Sequence, residues 1–299
     1  MTSRPERAAL VRQVYRLGWR HAGRLPVPVV RAGAALAAVV VVRRRGLHLR
    51  HLEHNLAALT GAPVGEGLLR AAIASYLRTF WEVLALPGWS GAAAVARVHL
   101  VGEATLRGAY ADRGAVVALP HSGNWDLAGA WACATGMPVT TVAEQLGEAE
   151  FASFLEFRRS LGMEVVSHSD RGAVADLVGA VRRRRLVCLV ADRDLPGAGV
   201  EVDFGGRRVT MPVGPALVAR MSGAALLPAV THYGGEPLRR GDRLHVVIGP
   251  EVPTRPGRDG LVAMTQEVAD FFAAVLRQHP EDWHMLQPFF GASADAVAR

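Results

Sequence analysis

The chain has 299 residues, of which 50% are hydrophobic, so it is long enough for a sizeable core in one large or two small domains. Its formal net charge of +7 at pH 7 indicates an anionic partner: nucleic acid, an acidic membrane or a phosphate-rich cofactor. All 34 cationic residues are arginine, which is suited to bidentate phosphate contacts. Aromatic residues make up only 6% and are not interleaved with the arginines, so the composition favours a membrane over nucleic acid.

The N-terminal region has the composition of membrane-surface helices. Residues 8–24 place apolar side chains at helical spacing among arginines, which predicts a basic amphipathic helix on an acidic membrane. A surface helix packed on its own domain is an equally open alternative. The apolar run Ala32–Val42 has 11 residues, against the roughly 20 that a membrane-spanning helix needs. The N-terminus also lacks the layout of a signal peptide.

Two cysteines, Cys133 and Cys188, lie in apolar settings without the spacing of a metal site. We therefore expect small core residues in a reducing compartment, and no metal. Residues 66–88 predict a further helix, whose aromatic side chains we interpret as core packing.

From Val98 onward the pattern alternates between strands and helices, which is typical of βαβ units. The predicted strands span 98–101, 115–119, 137–142, 163–166, 186–191, 225–230 and 243–248. The predicted helices span 102–111, 126–135, 148–161, 171–184, 212–222 and 261–278.

The most informative stretch is PHSGNWD, in which a buried strand ends and a helix begins. Its polar residues follow the carboxyl end of the strand, where open α/β sheets bind ligands. Five residues of continuous helix would leave His121 and Asp126 roughly 140° apart. The two side chains can meet only if His121 lies on the loop and Asp126 in the first helical turn. An imidazole oriented by a carboxylate is a general base.

This stretch resembles the HX4D motif of the acyltransferases related to the lipid A lauroyl/myristoyl transferases. The closer resemblance is to their actinobacterial branch, the phosphatidylinositol mannoside acyltransferases. It is carried by PHSGNWD, FRRSLGMEVV, ADRDLPGAGVEVDFGG and PEDWHMLQPFF, in that order, and extends from about Tyr15 to Phe290.

The segment FRRSLG places two arginines near a helix end, where they suit the helix dipole or a phosphate. Between Arg158 and Arg159, we slightly favour Arg159 as the phosphate ligand.

A second polar corner follows the buried strand Leu186–Ala191. Asp192, Arg193 and Asp194 would be costly to bury unpaired, so we expect them to pair with one another, with His121 or with a ligand. The resemblance implies a distal acid that works with the histidine. Our order of preference for that acid is Asp194, Asp192 and Glu201.

Three further groups are candidate contacts. Backbone N–H groups around Gly123–Asn124 are candidate oxyanion donors, and Ser122 is a candidate substrate contact beside them. Arg207 and Arg208 lie in a glycine-rich turn before a predicted helix start, which is a possible phosphate site. His284 is interpreted as packing near the site rather than as the base.

The resemblance implies O-acyl transfer from palmitoyl-CoA, a co-substrate rather than a bound cofactor, to the 6-hydroxyl of a mannose on phosphatidylinositol mannosides. His121 would be the general base, at the cytoplasmic face of the cell membrane. We expect an α/β fold with a central mixed sheet flanked by helices, similar to the glycerol-phosphate acyltransferases. A helical membrane-docking region over 1–95, which forms one wall of an acyl groove, and an acyltransferase core over 96–299 would form one compact unit.

Three alternatives remain open at this point. The first is a lipid A type acyltransferase that uses acyl-carrier protein, and the second is a non-catalytic lipid-binding protein. The third is a serine hydrolase with Ser122 as nucleophile, which the absence of G-x-S-x-G around that serine disfavours.

Overall fold

The computed structural model describes residue 18 and residues 21–143, 148–167, 172–194, 197–234 and 243–291. Most of the helix predicted over 8–24 therefore lies outside the described residues. Three helices come first in the described chain: α1 (Val27–Arg44), α2 (Leu47–Thr60) and α3 (Glu66–Ala85).

The remaining helices and the strands alternate along the chain, as the sequence predicts. The helices are α4 (Gly91–Ala96), α5 (Glu103–Arg113), α6 (Trp125–Ala134), α7 (Glu148–Ser160), α8 (Ala173–Arg182), α9 (Gly214–Ser222) and α10 (Gly257–Leu276). The strands are β1 (Val98–Val101), β2 (Ala115–Leu119), β3 (Val139–Ala143), β4 (Glu164–Ser167), β5 (Leu186–Val190), β6 (Val200–Asp203), β7 (Arg208–Met211), β8 (Ala225–His232) and β9 (Leu244–Ile248).

Seven of these strands form one sheet in the order β1-β9-β8-β2-β5-β3-β4. Neighbouring strands from β8 to β4 are parallel, whereas β9 runs antiparallel to β8 and parallel to β1. The predicted mixed sheet flanked by helices is thus confirmed. The chain leaves β2 toward β3 on one side of the sheet and leaves the neighbouring β8 toward β9 on the other side. The carboxyl end of β2 therefore lies beside a switch point, where such sheets bind ligands.

The two faces of β2 are covered by different groups of helices. Val116 and Ala118 belong to a core cluster that includes side chains of α1, α2, α3, α8, α9 and α10. Ala115, Val117 and Leu119 belong to a second cluster with α5 and α6. Every residue of β2 is buried, so the strand reads as a continuous apolar run, as parallel strands between helices do.

Several elements differ from the sequence predictions. The run Ala32–Val42 is part of the longer α1, because Pro28 stands in the first helical turn, where proline costs no hydrogen bond. Helices α2 and α4 and strand β6 were not predicted. Strands β6 and β7 form a separate antiparallel ribbon. None of the helices in the described chain combines the length and apolarity that crossing a bilayer requires.

A row of histidines lies across the edge of the sheet that carries β1, β9 and the end of β8. The ring of His232 stacks on the rings of His279 and His245, with centroids 3.6 and 5.0 Å apart, and His245 contacts His99. Burial, and next the charges of His279 and His245, lower the pKa of His232 to about 3. Burial also lowers the pKa of His279, although the charge of Asp282 raises it in part. His232 is therefore held neutral.

This neutral histidine should make the fold less stable in mild acid. An unfolded histidine takes a proton near pH 6.5, whereas folded His232 does so only near pH 3, so its contribution declines as the pH falls below 6.5. His232→Asn removes this titration and keeps an acceptor for the Gly234 N–H. Between pH 7 and pH 5 this variant should lose about 2 kcal/mol less unfolding free energy than the wild type in urea titrations.

The control is His99→Asn, which replaces an exposed histidine of the same row. Its loss should stay close to that of the wild type. An equal loss in His232→Asn and the wild type would show that His232 is not the group responsible.

Candidate active site

The candidate site lies where two neighbouring parallel strands end. Leu119, the last residue of β2, is paired in register with Val190, the last residue of β5. His121 and Asp192 each follow two residues later, so both lie at the same edge of the sheet. The His121 ring Nδ1 is 2.5 Å from Asp192 Oδ1, and the His121 backbone N–H donates to Oδ2 at 2.9 Å. This pair is the centre of the site.

Asp192 has no exposed surface, and its carboxylate accepts from three donors. The third is the Trp283 indole N–H, 3.1 Å from Oδ2. Burial by itself raises the pKa of Asp192, but the charge of His121 and these hydrogen bonds outweigh it, so the pKa lies below its usual value. An ionised Asp192 requires the proton on Nδ1 of His121, which leaves Nε2 as the acceptor nitrogen. Nε2 bonds to no group of the described residues.

The structure therefore selects Asp192 from the three acids proposed for pairing with His121. Asp194, which we had preferred, instead accepts from the Gly199 N–H at 2.9 Å within its own loop. Glu201 lies on the β6–β7 ribbon, where it is paired with Arg208 and is 59% exposed. Asp194 and Glu201 make no hydrogen bond to the imidazole.

Asp126 does not bond to His121 as predicted, because its carboxylate is held by Arg158 instead. The Arg158 Nε and an Nη donate to its two oxygens at 2.7 and 3.3 Å, and both side chains are largely buried. Burial by itself lowers the pKa of Arg158, but the charge of Asp126 and the hydrogen bond outweigh it. The pKa of Arg158 therefore lies above its usual value. Arg159, the arginine favoured from sequence, is exposed in the same last turn of α7.

The residues after His121 hold the loop rather than face a ligand. Ser122 is buried, with its Oγ accepting from the Thr231 N–H at 3.3 Å and its carbonyl accepting from the Thr231 hydroxyl. A serine in that position cannot act as a nucleophile. Gly123 has φ +48, and a Cβ there would lie 2.7 Å from the Thr231 carbonyl oxygen, so only glycine fits. Its N–H donates to the Asp282 carbonyl, and it is not available as an oxyanion donor.

Asn124 is also buried and has a double role. Its Oδ1 caps α6 by accepting from the Leu127 N–H at 2.9 Å, and its Nδ2 donates to Glu82 at 3.0 Å. Arg193 is partly buried, and the predicted phosphate ligands Arg207 and Arg208 are exposed on the β6–β7 ribbon. None of these three arginines bonds to the His121–Asp192 pair.

The segment 282–284 was interpreted as packing, and the structure shows that it fixes the loop. His284 N–H donates to the His121 carbonyl at 2.8 Å, and Ser122 forms a β-bridge with Trp283. Asp282 accepts from the Tyr233 N–H at 2.7 Å and from the Ser75 hydroxyl. The available sequence signal was the match PEDWHMLQPFF, which placed the segment near the site without giving its contacts.

Helix α3 supplies a buried ionic network that sequence reasoning also missed. Glu82 pairs with Arg78 at 2.9 Å and accepts from the Tyr233 hydroxyl at 2.7 Å as well as from Asn124. Burial, and next the charge of Glu82, raise the pKa of Tyr233 well above its usual value. Thr79 donates to the Gly123 carbonyl at 2.8 Å. The helix therefore supports the loop after β2, in addition to its packing role.

An apolar pocket opens beside this loop. It is a narrow cavity of about 60 Å³ between α6 and the sheet, and Trp125, Asp126 and Arg158 form its polar end. The Trp125 ring contacts the His121 ring with centroids 5.5 Å apart. The interior is hydrocarbon-like, with side chains of β2, β5 and β9 and Met163 as its walls.

Comparison with known proteins places this site in a family. A family model described as bacterial lipid A biosynthesis acyltransferase matches residues 4–291. The chain belongs to that family. The acyltransferase activity expected from the sequence is thereby supported.

Curated relatives share most of the chain. A phosphatidylinositol mannoside acyltransferase of Mycolicibacterium smegmatis is 38% identical over 281 residues, which is 92% of this chain and 89% of that protein. A phosphatidylinositol mannoside acyltransferase of Mycobacterium tuberculosis is 40% identical over 283 residues, 92% of this chain and 86% of that protein. The resemblance carried by PHSGNWD and the other matches is confirmed.

The indole of Trp283 gives a test of the buried pair in this acyltransferase. Trp283→Phe keeps an aromatic ring but removes one donor from the Asp192 carboxylate, and a hydrogen bond to a charged group is worth about 1.5–3 kcal/mol. We expect kcat/KM for acyl transfer to fall about tenfold or more in a folded protein.

The matched control is Phe204→Leu, which disturbs the ring stacked on Trp283, with centroids 5.8 Å apart, without removing a donor. It should keep kcat/KM within about twofold of the wild type. Equal losses of activity in the two variants would show that the indole acts by packing alone.

Proposed function

We propose that this acyltransferase moves a palmitoyl chain from acyl-CoA to the 6-hydroxyl of a mannose on a phosphatidylinositol mannoside. The names of the two mycobacterial relatives support the acceptor, and the resemblance seen in the sequence implies the donor and the hydroxyl. The observation that carries the chemistry is the half-buried His121, whose Nδ1 is held by buried Asp192 while Nε2 has no bond from the described residues. The reaction needs no resident cofactor or metal.

In the proposed reaction, Nε2 of His121 takes the proton of the mannose hydroxyl as its oxygen attacks the thioester carbonyl carbon. The carbon–sulfur bond then breaks, and the CoA thiolate recovers the proton from the imidazolium. Asp192 keeps the proton on Nδ1 and stabilises the imidazolium by its charge. Because Gly123 N–H is already bonded, we assign the developing oxyanion to the first-turn N–H groups of α6 at Trp125 and Asp126.

We assign the acyl chain to the apolar pocket beneath α6. Trp125 lines this pocket and contacts the His121 ring, so a chain bound there would hold its thioester close to the base. The cavity is narrow, and the end of the Met163 side chain closes against Gly129, where an added Cβ would lie 2.6 Å from Cε. A palmitoyl chain is several times larger than this cavity, so its binding requires the pocket to widen, and the flexible Met163 side chain is the group that we expect to move first.

We propose peripheral attachment to the cytoplasmic face of the membrane through α1. Val29, Leu36 and Val40 are 59%, 69% and 42% exposed on this helix, which ends in Arg43-Arg44-Arg45. Exposed aliphatic side chains beside a basic cluster favour a surface that is both apolar and anionic.

The proposed general base is tested by variants assayed with labelled palmitoyl-CoA and phosphatidylinositol mannoside, with products identified by mass. His121→Ala should reduce kcat about 10²–10⁴-fold. Asp192→Asn should reduce kcat by nearly as much, because an amide donates to Nδ1 and so moves the ring proton to Nε2. The matched control is Asp194→Asn, since among the described residues that side chain bonds to the Gly199 N–H of its own loop and not to His121, and it should reduce kcat by less than about threefold.

Folding of each variant is checked by near-UV circular dichroism. Palmitate transfer that persists at wild-type rate in folded His121→Ala would contradict the mechanism. Equal losses in Asp192→Asn and Asp194→Asn would contradict the choice of Asp192.

The acyl pocket gives a second test, in chain-length preference. Met163→Ala removes the side chain that closes the cavity, so it should raise kcat/KM for stearoyl-CoA relative to palmitoyl-CoA. Two additional buried methylenes correspond to about a tenfold change in that ratio. The control is Met137→Ala, the same truncation in the same apolar cluster but away from the pocket lining. If both variants give the same ratio, the chain does not lie beside Met163.

A further inference from the structure

A second cavity, of about 450 Å³, lies between the start of α1, helix α3 and the start of β9. The cavity is lined by one carboxylate, that of Glu82, and by four arginines, which are Arg31, Arg78, Arg97 and Arg243. We call it the basic pocket. It shares no lining residue with the apolar pocket beside His121, and its volume is within the range of ligand sites.

The negative charge of Glu82 is already compensated by groups of the protein. Its two oxygens are engaged by Arg78, Asn124 and Tyr233. The charges of Arg97 and Arg243 are not compensated in this way. No carboxylate of the described residues pairs with either arginine, and both are exposed. The basic pocket therefore has an excess of positive charge at its mouth.

Arg97 is held in place without an ionic partner. Its guanidinium lies 4.1 Å from the centroid of the Trp89 ring, and one Nη donates to the Ala93 carbonyl at 2.8 Å. Stacking on an aromatic face orients the planar guanidinium and leaves its other N–H groups free to donate in parallel, as a phosphate requires.

The basic pocket is also lined by aliphatic side chains. Leu25 and Val27 are 49% and 41% exposed, and Val30 and Ala34 line the pocket farther along α1, on either side of Arg31. A cavity lined by both arginines and aliphatic side chains matches a molecule that is itself an anionic group joined to hydrocarbon. A soluble phosphate compound would contact the arginines and leave the aliphatic lining uncovered.

We propose that the basic pocket binds the phosphodiester of an acidic glycerophospholipid. Arg97 and Arg243 contact the phosphate, and the acyl tails leave along the exposed aliphatic face of α1, past Val29 and Leu36. This inference goes beyond the proposed acyl transfer, because such a lipid is held at this pocket whether or not it is acylated.

The probe is dihexanoyl-phosphatidylinositol, a short-chain lipid studied below its micelle concentration, titrated into the full chain without any acyl donor. Trp81 and Trp89 line the basic pocket, so binding is followed by their fluorescence. We expect a saturable change that dihexanoyl-phosphatidylcholine, whose headgroup has no net charge, reproduces at least tenfold more weakly.

The double variant Arg97→Glu with Arg243→Glu should weaken binding of the acidic probe about thirtyfold or more. The matched control is Arg182→Glu with Arg258→Glu, which changes the net charge equally at exposed sites on α8 and α10. This control should bind within about threefold of the wild type. Nonspecific attraction to an anion would weaken equally in both double variants, whereas binding in the pocket depends on Arg97 and Arg243 themselves.

Equal weakening in the two double variants, or no saturable change in the wild type, would overturn the proposal. Inorganic phosphate should compete only weakly. Displacement of the lipid by inorganic phosphate at the lipid's own affinity would show a phosphate site and overturn the lipid assignment. Binding is measured without acyl-CoA, so an acyl-transfer assay that fails while binding persists contradicts only the proposed function.

Discussion

One buried negative charge constrains the whole site. A carboxylate with no exposed surface, as in Asp192, is costly unless charge and hydrogen bonds compensate it. The compensation comes from the ring and backbone of His121 and from the indole of Trp283. Those donors belong to the loop after β2 and to a segment beyond α10. Satisfying one charge therefore brings three distant parts of the chain together and, in the same step, fixes which imidazole nitrogen faces outward.

The rest of the loop is also held by hydrogen bonds to buried polar groups, farther from the imidazole. Thr231 at the end of β8, Thr79 on α3 and Asp282 each bond to the backbone of residues 122–123. Glu82 then binds Asn124, the cap of α6. Among the described residues, few groups near His121 lack a protein partner. The parts that remain open are Nε2, the first N–H groups of α6 and the apolar pocket.

Much of the fold was predictable, since buried β-branched runs and the helices between them are local features. The position of His121 after β2 was predictable for the same reason. Asp192 could not be distinguished from Asp194, because the choice depends on Leu119 pairing with Val190 across two strands. Glu82 and Trp283 looked like core residues beside aromatic neighbours. Their hydrogen-bond partners lie 42 and 91 residues away, beyond the reach of any local pattern.

The position of Trp283 in the chain has a consequence for how the protein matures. A polypeptide leaves the ribosome with its N-terminus first, so β2 and β5, which carry His121 and Asp192 at their ends, emerge before the segment that contains Trp283. During that interval Asp192 lacks its indole donor and the His121 loop lacks the strand-like contact of residues 282–284. Until that segment folds onto the sheet, the His121–Asp192 pair lacks these contacts, so the site is completed only when a part of the chain far from both strands packs against it.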